Sequence, residues 1–431
     1  MTERNINIRV PVLARVEGEG ALEIDIENGQ ITNLKLNIFE PPRFFEKFLE
    51  GRHYSEVPDI VARICGICPV AYQMTAVHAF EKLFQSDPGP WVKSMRRLFY
   101  CGEWIESHAL HIHLLAAPDF LGYDSAPEMA KDYSAEVRRG ITLQNSGNEI
   151  LRFLGGRSVH PIGVKVGGFH HSPGKTEANA LLTTLKKSFA LAEELIPWVA
   201  SLDIPNYPQK FTSVALQHPD EYPFNDGQIT SDSGLDITAT EYEKHFTEQH
   251  ETHSTALYSL HHGKPYLVGP LARLNLNFKL LPAEILNILG RANIQLPSNN
   301  MYHSIIARAV EIYFALNEAI NILDQYTPAQ QPAINVEPQA GIAYGCTEAP
   351  RGILWHRYEV DENGFILNAR IVPPTSQNQA RIEEDLKNSL NGFGLDQSED
   401  AIRQRAEQII RNYDPCISCA THFLNLKVSR L

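Results

Sequence analysis

The chain has 431 residues, of which 43% are apolar and 21% charged, and its 38 Lys and Arg against 51 Asp and Glu give a formal net charge of −13. This composition indicates a globular chain with a sizeable buried core and excludes intrinsic disorder. The negative charge, with no stripe of Lys and Arg to offset it, argues against nucleic acid as a partner. Because no apolar run reaches about 20 residues and the N-terminus lacks an export signal, we expect a cytoplasmic protein that is not inserted in a membrane.

The first predicted element is a β-hairpin. Residues 16–38 alternate in strand fashion around Asn28-Gly29, a dipeptide typical of a tight hairpin turn. A second hairpin is predicted at 353–372 around Asn363-Gly364. Both turns read Glu-Asn-Gly, so we expect the two hairpins to pair in one small sheet that also brings the chain ends together.

Between the hairpins, apolar residues recur at helical spacing. The predicted helices cover residues 57–84, 90–117, 126–154, 174–200, 282–291 and 300–326, with two more near 380–391 and 398–412. The fold class is therefore mainly α with small β, a central bundle of long helices flanked by small antiparallel sheet regions. The expected segments are a hairpin region at 1–56, helical core at 57–204 and 281–345, an α+β insertion at 205–280, a hairpin with C-terminal helices at 346–422, and an extension at 423–431.

The strongest chemical signal is the placement of the cysteines. Cys65 and Cys68 form one C-x-x-C pair, and Cys416 and Cys419 form another at the opposite end of the chain. A fold that brings both pairs together makes a pocket of four thiolates, and the first pair interrupts a helical pattern instead of lying in a short zinc knuckle. Spacing alone leaves a catalytic metal, a structural zinc and coincidence open.

The other metal-binding residue types carry less information. We predict that the remaining two cysteines are small buried residues and that the adjacent histidine pairs are ordinary polar or surface side chains, because no acid or Cys stands at ligand spacing from them. These residues are Cys101, Cys346, His170, His171, His261 and His262.

Five separated motifs connect the cysteines to a known family. They are Arg15-Val16-Glu17-Gly18-Glu19-Gly20, Arg63-Ile64-Cys65-Gly66-Ile67-Cys68, Gly155-Gly156-Arg157 with His160-Pro161, Glu348-Ala349-Pro350-Arg351-Gly352, and Asp414-Pro415-Cys416-Ile417-Ser418-Cys419-Ala420-Thr421-His422. In order and approximate spacing, over essentially the whole chain, they resemble the catalytic large subunit of the nickel-iron hydrogenases. The resemblance implies that fold and reversible heterolytic oxidation of H2.

The resemblance also implies a metal centre. Cys65, Cys68, Cys416 and Cys419 would bind nickel, and the second Cys of each pair would bridge to an iron that carries carbon monoxide and cyanide. Thiolates suit such soft, redox-active metals.

Further positions match the family's second metal ion. Glu46, the backbone carbonyl of Ile371 and His422 would ligate a magnesium or iron ion near the C-terminus. Carboxylate and carbonyl oxygens suit a hard cation. For Glu46 by itself, a surface helix acid is the competing interpretation.

The resemblance assigns roles around the centre as well. Glu17 would be the first proton acceptor, and Arg351, after Pro350, would overhang the open metal position with Asp119 and Asp414 as its acidic partners. Thr375 would hydrogen-bond a cyanide, against the alternative of an ordinary turn Thr. His160 would face the small subunit.

Within the family, the segment Cys65 to Met74 resembles the cytoplasmic, bidirectional, NAD(P)-linked group, and Tyr72 stands where many uptake enzymes have His. We expect electrons to leave through iron-sulfur clusters on a small subunit, because this chain has no spare cysteines. We expect FAD and NAD(P) on further diaphorase subunits, because no G-x-G-x-x-G follows a predicted strand.

The last residues form a separate prediction. In the family an endopeptidase cuts after the histidine that corresponds to His422 once a nickel chaperone has delivered the metal, so Phe423 to Leu431 would be removed. The competing interpretations of the whole chain are an F420-linked or membrane-linked hydrogenase large chain, a zinc-binding relative with four thiolates, and a quinone-site component of respiratory complex I, which lacks the paired cysteines.

Overall fold

The structure is a computed structural model and describes residues 5–421. The strands and helices, numbered separately in chain order, are β1 (Ile6–Val10), β2 (Gly20–Glu27), β3 (Gln30–Ile38), α1 (Phe45–Leu49), α2 (Val57–Val61), α3 (Pro69–Leu83), α4 (Gly89–Leu110), α5 (Ala117–Leu121), α6 (Ala126–Met129), α7 (Ser134–Gly155), β4 (Val164–Lys165), β5 (Gly168–Phe169), α8 (Lys175–Ala200), β6 (Val214–Gln217), β7 (Gln228–Ser231), β8 (Asp236–Ile237), α9 (Tyr242–His245), β9 (Phe246–His250), β10 (Leu257–His261), α10 (Pro270–Asn277), α11 (Ala283–Arg291), α12 (Ser304–Asp324), β11 (Gly341–Ala349), β12 (Gly352–Val360), β13 (Ile366–Val372), α13 (Pro374–Phe393), α14 (Glu399–Asn412) and α15 (Ile417–Ala420). The predicted class, mainly α with small antiparallel sheets, is confirmed.

The centre of the molecule is a bundle of long helices. α4 packs against α7 and α12, and α12 packs against α8. α12 is buried on nearly every face, as expected for a helix surrounded by others. Gly102 and Gly147 bring α4 and α7 close, since a Cβ on Gly147 would lie 2.5 Å from the Gly102 carbonyl oxygen.

Three predicted helices are interrupted. The one predicted at 126–154 forms α6 and α7, with a turn at 130–133 between them. The segment predicted as one helix at 57–84 is α2, a 3-10 turn at Ala62–Ile64, the first cysteine pair and then α3. The helix predicted at 90–117 ends as α4 at Leu110 and continues through a π-helical turn, His111–Ala116, into α5. Apolar periodicity runs through these last two interruptions because the chain stays buried across them.

The two predicted hairpins form, but the prediction that they pair with each other is wrong. β2 and β3 belong to the sheet β1-β2-β3, and β12 and β13 belong to the separate sheet β11-β12-β13. In each sheet an additional strand, β1 or β11, pairs with one strand of the hairpin. α3 covers β11 closely, because Gly345 lets the backbone approach α3: a Cβ there would lie 2.2 Å from the Thr75 carbonyl oxygen.

Helix α13 begins earlier than the sequence pattern predicts. The pattern predicts a helix near 380–391, whereas α13 runs from Pro374 to Phe393 with a proline at its first turn. Proline is tolerated there because the first N–H groups of a helix have no intrahelical partner. Because α13 begins at Pro374, Thr375 lies in the first turn of the helix. Among the described residues no helix is both long and apolar enough to cross a bilayer.

Candidate metal centre

The four paired cysteines meet in the interior. Cys65 and Cys68 lie in the turn between the 3-10 turn and α3, and Cys416 and Cys419 lie before and within the short helix α15. The four cysteine sulfurs all lie within 4.8 Å of one another, and all four residues are buried. The sulfurs of Cys416 and Cys419 lie 2.8 Å apart, and those of Cys65 and Cys416 lie 3.3 Å apart. The two cysteine pairs, far apart in sequence, therefore form one pocket of four thiols, as expected for a metal centre.

The local backbone prepares Cys65 to be a thiolate. The backbone N–H groups of Ile67 and Cys68 point at the Cys65 sulfur over 3.3 and 3.2 Å. Burial opposes ionisation, but the neighbouring thiols and Arg351 outweigh it and hold the pKa of Cys65 well below its ordinary value. Hydrogen bonds of the Cys416 thiol to the other cysteine sulfurs, together with burial, raise the pKa of Cys416 well above its ordinary value. A cation bound here would therefore release the remaining thiol protons.

The N-terminal segment is tied to the second cysteine pair through Glu17. Its backbone forms a parallel bridge with Cys416 and accepts a hydrogen bond from Ile417 N–H at 3.0 Å. Its carboxylate accepts from Ser418 N–H at 3.1 Å. Burial first, and the charge of Cys65 second, raise the pKa of Glu17. Gly18, at φ 89°, permits this contact, because a Cβ there would lie 2.7 Å from the Ile417 Cβ.

Arg43 joins the two cysteine turns and was not singled out from the sequence. Its guanidinium donates to the carbonyl oxygens of Ile64, at 2.7 Å, and Ser418. Its backbone N–H donates to the carbonyl oxygen of Thr421 at 2.8 Å. One side chain therefore links the segment before Cys65 with the segment before Cys419. No local sequence pattern distinguishes Arg43 from a surface arginine.

Arg351 is buried and turned toward the same region. It donates to the backbone oxygen of Asp414 at 2.7 Å and to the Asp414 carboxylate at 3.1 Å. Its Nη1 is buried without a hydrogen-bond partner in the described residues. Burial lowers the pKa of Arg351, but Asp414 and three of the cysteines outweigh that effect and raise it, so the group stays a cation. A cation with one unused donor is suited to bind an anionic or polar ligand.

A buried ion cluster supports the backbone on which Arg351 stands. Arg273 donates twice to Glu311 at 2.8 Å and once to Glu348 at 2.6 Å. The same guanidinium donates to the carbonyl oxygens of Ala349 at 2.9 Å and Pro350 at 3.1 Å. Arg273 was not singled out from the sequence, because only the fold brings α10 beside the Pro350 turn.

Arg273 lowers the pKa of one carboxylate in this cluster far more effectively than that of the other. Burial raises the pKa of Glu311, but Arg273 and His108 outweigh it and lower it to about 2. Burial raises the pKa of Glu348 to about 7, with Arg273 offsetting only part of that effect. Burial also lowers the pKa of His108 to about 4, so this ring is neutral and its Nε2–H donates to Glu311 at 2.8 Å.

Asp119 lies in a different ion cluster from the one predicted. It accepts from Arg15 at 2.5 Å and from Nε and Nη2 of Arg411 at 2.7 and 2.8 Å. The expectation that Asp119 completes the acidic partners of Arg351 does not hold. α5, which carries Asp119, faces α14 and the N-terminal loop, where two other arginines neutralise it. Asp414 supplies the carboxylate that Arg351 contacts.

Thr375, near the N-terminus of α13, lies beside the second cysteine pair. Its hydroxyl oxygen accepts from Cys416 N–H at 3.0 Å. Pro350 accepts a hydrogen bond from Arg273 through its carbonyl oxygen.

His160 lies on the loop after α7, where its Nδ1 is 2.8 Å from the Ala62 carbonyl oxygen, close to the first cysteine turn.

Glu46 and Ile371, which the resemblance assigns to a second metal ion, lie against each other. A Glu46 carboxylate oxygen accepts from Ile371 N–H at 2.7 Å, which joins α1 to β13. Burial, and then the charge of Glu46, raise the pKa of the nearby Tyr358 hydroxyl well above its ordinary value. His422, the third predicted ligand, and residues 423–431 lie outside the described residues.

Tyr72, which replaces the histidine of many uptake enzymes, faces the cysteine cluster. Its hydroxyl is buried, and its pKa is raised well above the ordinary value by burial and then by Cys419, Cys68 and Cys65. The hydroxyl therefore keeps its proton.

Comparisons with known proteins agree with this centre. The family model described as nickel-dependent hydrogenase matches residues 43–149 and 232–422. The alpha chain of sulfhydrogenase 2 from Pyrococcus furiosus is 34% identical, over 97% of this chain and 100% of the relative. The corresponding chain of an F420-non-reducing hydrogenase from Methanothermobacter marburgensis is 30% identical, over 97% of this chain and 95% of that protein.

A solved structure has the same architecture. The NAD+-reducing [NiFe]-hydrogenase in its H2-reduced state superimposes with a TM-score of 0.86 at 27% identity, covering 97% of this chain and 99% of that one. With the four converging cysteines, these matches establish that the chain belongs to the nickel-dependent hydrogenase family and is the catalytic large subunit of a nickel-iron hydrogenase.

Proposed function

We propose that this large subunit interconverts H2 with two protons and two electrons in the cytoplasm and exchanges the electrons with NAD(P) through partner subunits. The observation that carries the catalytic part is the buried set of four thiol ligands, built from both ends of the chain. The likeness to a structure titled as an NAD+-reducing hydrogenase supports the acceptor.

The donor set fits a nickel-iron group. Four sulfur ligands in a buried pocket suit soft metals, and we assign nickel to all four cysteines and the iron to Cys68 and Cys419, whose sulfurs lie 3.8 Å apart. The iron would carry carbon monoxide and cyanide. When bound, this group supplies the redox and Lewis-acid chemistry that splits H2.

Arg351 would position the diatomic ligands and the substrate without acting as a base. Its pKa is raised, so it does not release a proton at neutral pH, and its buried Nη1 remains available to a ligand. Asp414 holds its Nε and Nη2. We assign the hydroxyl of Thr375, which lies against Cys416, to the same ligands. Because Pro350 and Arg273 hold the backbone of this turn, the guanidinium is aimed before substrate arrives.

Glu17 would take the proton. Its carboxyl lies against the Cys416 turn, and a raised pKa suits a group that must both accept and release a proton near neutral pH. Glu19, two residues later, offers a matched control because it shares the same loop. We expect Glu17→Gln to abolish exchange between H2 and solvent protons and Glu19→Gln to preserve it. Exchange at the normal rate in Glu17→Gln would exclude this route.

A second metal ion would bind near the C-terminus. Glu46 reaches the Ile371 backbone, and we assign its carboxylate, the Ile371 carbonyl and His422 as ligands of magnesium or iron. This ion would hold the end of the chain against α1 and β13.

The electron route would begin at an iron-sulfur small subunit docked beside the first cysteine turn. His160 contacts the carbonyl before this turn, and the apolar side chains of Val159 and Ile162 flank it with exposures of 52% and 50%. On the N-terminal side, Phe48 is 62% exposed on α1. Exposed apolar side chains are candidates for contact with a partner subunit where they form a patch.

Further partners would be flavin and NAD(P) subunits, a nickel chaperone and a processing endopeptidase. We propose that residues 423–431 are removed after metal insertion. The intact mass of the active holoprotein tests this directly: we expect a chain that ends at His422, and active enzyme that ends at Leu431 would contradict the proposal.

The activity is tested by reduction of a dye, and then of NAD(P), with H2 as the electron source. We expect Cys65→Ser and Cys416→Ser to lose both nickel and activity, and the matched variants Cys101→Ser and Cys346→Ser to keep them, since these two cysteines are buried outside the cluster. If either ligand variant keeps nickel and activity, the ligand assignment fails. Zinc without nickel in the wild-type holoprotein would support a structural site instead.

Sulfur is the second candidate acceptor. It is favoured by the relative from Pyrococcus furiosus, which is named a sulfhydrogenase. H2-dependent sulfide production by the purified complex, without NAD(P) reduction, would select it.

A further inference from the structure

Three histidines converge far from the cysteine cluster in sequence, on the α+β insertion. His245 ends α9, His261 ends β10, and His262 lies in the turn that follows. One ring nitrogen of each lies within 4.8 Å of the other two. The sequence predicts that His261 and His262 are ordinary polar or surface side chains, because no acid or Cys stands at ligand spacing from them. The third histidine is 16 positions away, and only the fold brings it to them.

We propose that His245, His261 and His262 form a second transition-metal site, which binds a divalent cation such as Zn²⁺ or Ni²⁺ through three imidazole nitrogens. The site is independent of the nickel-iron centre and of the proposed electron acceptor. Its donors are imidazoles only, whereas the catalytic centre uses thiolates.

The spacing of the rings agrees with metal coordination. Nδ1 of His245 and Nε2 of His262 are 3.3 Å apart. In a tetrahedral site with metal–nitrogen bonds of about 2.0–2.1 Å, two ligand nitrogens are separated by about 3.3 Å. A catalytic or exchangeable three-histidine site leaves the fourth position to water, and His262 is exposed, so water can reach this one.

The backbone holds the three residues in place without a metal. His262 and Gly263, at φ 47° and 74°, form a tight turn closed by paired hydrogen bonds of 3.0 Å between His261 and Lys264. His262 N–H also donates to the His245 carbonyl oxygen at 3.1 Å. Little conformational freedom is therefore lost when an ion binds.

The His261 ring has a nitrogen available to a metal. Its Nε2 is buried and makes no hydrogen bond within residues 5–421. The ring is packed against Phe246 at 5.0 Å between centroids. A buried imidazole nitrogen without a partner is suited to donate its lone pair to a metal.

The nearby formal charges do not prevent binding. Lys244 and Lys264 are exposed, and Lys244 lies 4.0 Å from Glu241. Solvent screens exposed charges. A bound ion would tie α9 to the open end of the β9-β10 hairpin, where His261 pairs with Phe246. α9 is itself anchored where Tyr242 stacks on Trp355 of β12 at 4.8 Å.

The test uses the purified hydrogenase holoenzyme with its nickel-iron centre filled, dialysed against Zn²⁺ and analysed for metal. We expect one additional equivalent of zinc in the wild type. His245→Gln and His262→Gln are expected to bind it at least about tenfold more weakly, since even loss of a residue that only orients a ligand costs about 10–100-fold. The control His171→Gln removes an exposed histidine from another pair and should keep the full equivalent.

Substitution by Co²⁺ separates this site from the cysteine cluster. Cobalt held by imidazoles shows ligand-field bands without the thiolate charge-transfer band, whereas cobalt in a four-cysteine site shows that band. The proposal is overturned if no additional equivalent binds, if both histidine variants bind it as tightly as wild type, or if the added cobalt shows the thiolate band. Circular dichroism of both variants shows whether weaker binding reflects the loss of a ligand or the loss of the fold, and a variant that unfolds is replaced by the conservative change to Asn.

Discussion

Arg273→Lys tests whether the buried ion cluster positions Arg351. Arginine at this position makes five hydrogen bonds, three to the carboxylates of Glu311 and Glu348 and two to the carbonyl oxygens of Ala349 and Pro350. Lysine keeps the charge but has three donors. Because opposite charges attract most strongly in a buried site, we expect the ammonium to follow the carboxylates and to release the two carbonyl oxygens.

The expected cost follows from those two bonds. A hydrogen bond to a charged group contributes about 1.5–3 kcal/mol, so losing two destabilises the fold by about 3–6 kcal/mol. The released carbonyls directly precede Arg351, and a misplacement of about 1 Å at a reacting site costs up to about 100-fold in rate. We therefore expect H2 oxidation per bound nickel to fall by about 10–100-fold, with nickel content retained.

The assay compares the unfolding midpoint in guanidinium chloride and the dye-linked activity per nickel. Arg96→Lys is the matched control: Arg96 is equally buried and forms two hydrogen bonds of 2.6 Å with Glu81, near the opposite end of α3 from Cys68. It should lower the unfolding midpoint without changing activity per nickel. Normal activity per nickel in Arg273→Lys would refute the role assigned to Arg273, whatever its effect on stability.

Three further outcomes are expected. Gly345→Ala should prevent β11 from packing on α3, because the added Cβ would meet a backbone carbonyl oxygen at 2.2 Å, and should lower the unfolding free energy by about 1–3 kcal/mol or more. The control Gly290→Ala should be tolerated, because the space around Gly290 is open. Equal unfolding midpoints for the two variants would contradict this prediction. Burial lowers the pKa of His113 from 6.5 to about 3, so the unfolded chain binds this proton first and the unfolding free energy falls as the pH decreases from 6.5 toward 3. In denaturant titrations, His113→Gln should reduce the slope of unfolding free energy against pH by about 1.4 kcal/mol per pH unit. An unchanged slope would exclude His113 as the source. Arg43→Gln should lose nickel on dialysis, because the two cysteine turns are no longer joined. The control Arg63→Gln, at an exposed arginine, should retain nickel. Equal nickel retention in the two variants would exclude this role of Arg43.

The sequence was informative where chemistry depends on neighbours in the chain. Each C-x-x-C pair is a local pattern that places two sulfurs on one turn, and Asn28-Gly29 and Asn363-Gly364 form the turns of real hairpins. Helical periodicity located the bundle, but it could not show the break at Cys65–Cys68 or the π-helical turn after α4, because burial keeps the apolar pattern continuous across both.

Partner choice among charged residues could not be predicted in the same way. Asp119 and Asp414 are both acidic residues within reach of arginines, yet one binds Arg15 and Arg411 and the other Arg351. The difference arises from where the fold places α5, which carries Asp119 beside Arg411 of α14. Electrostatic attraction does not depend on sequence separation, so the chain alone leaves several pairings equally plausible.

By itself, the sequence determined that two cysteine pairs, a glycine-flanked Glu17 and a Pro-Arg turn occur in one chain with long apolar helices. The resemblance of these motifs to the nickel-iron hydrogenases is what predicted a thiolate metal centre. Only the tertiary structure decided which side chains hold that centre together. Arg43 and Arg273 bind backbone carbonyls of segments remote in sequence, and His245 joins His261 and His262. The physical reason is that a ligand set or a buried ion pair needs atoms within a few ångströms, and only long-range packing brings such atoms together.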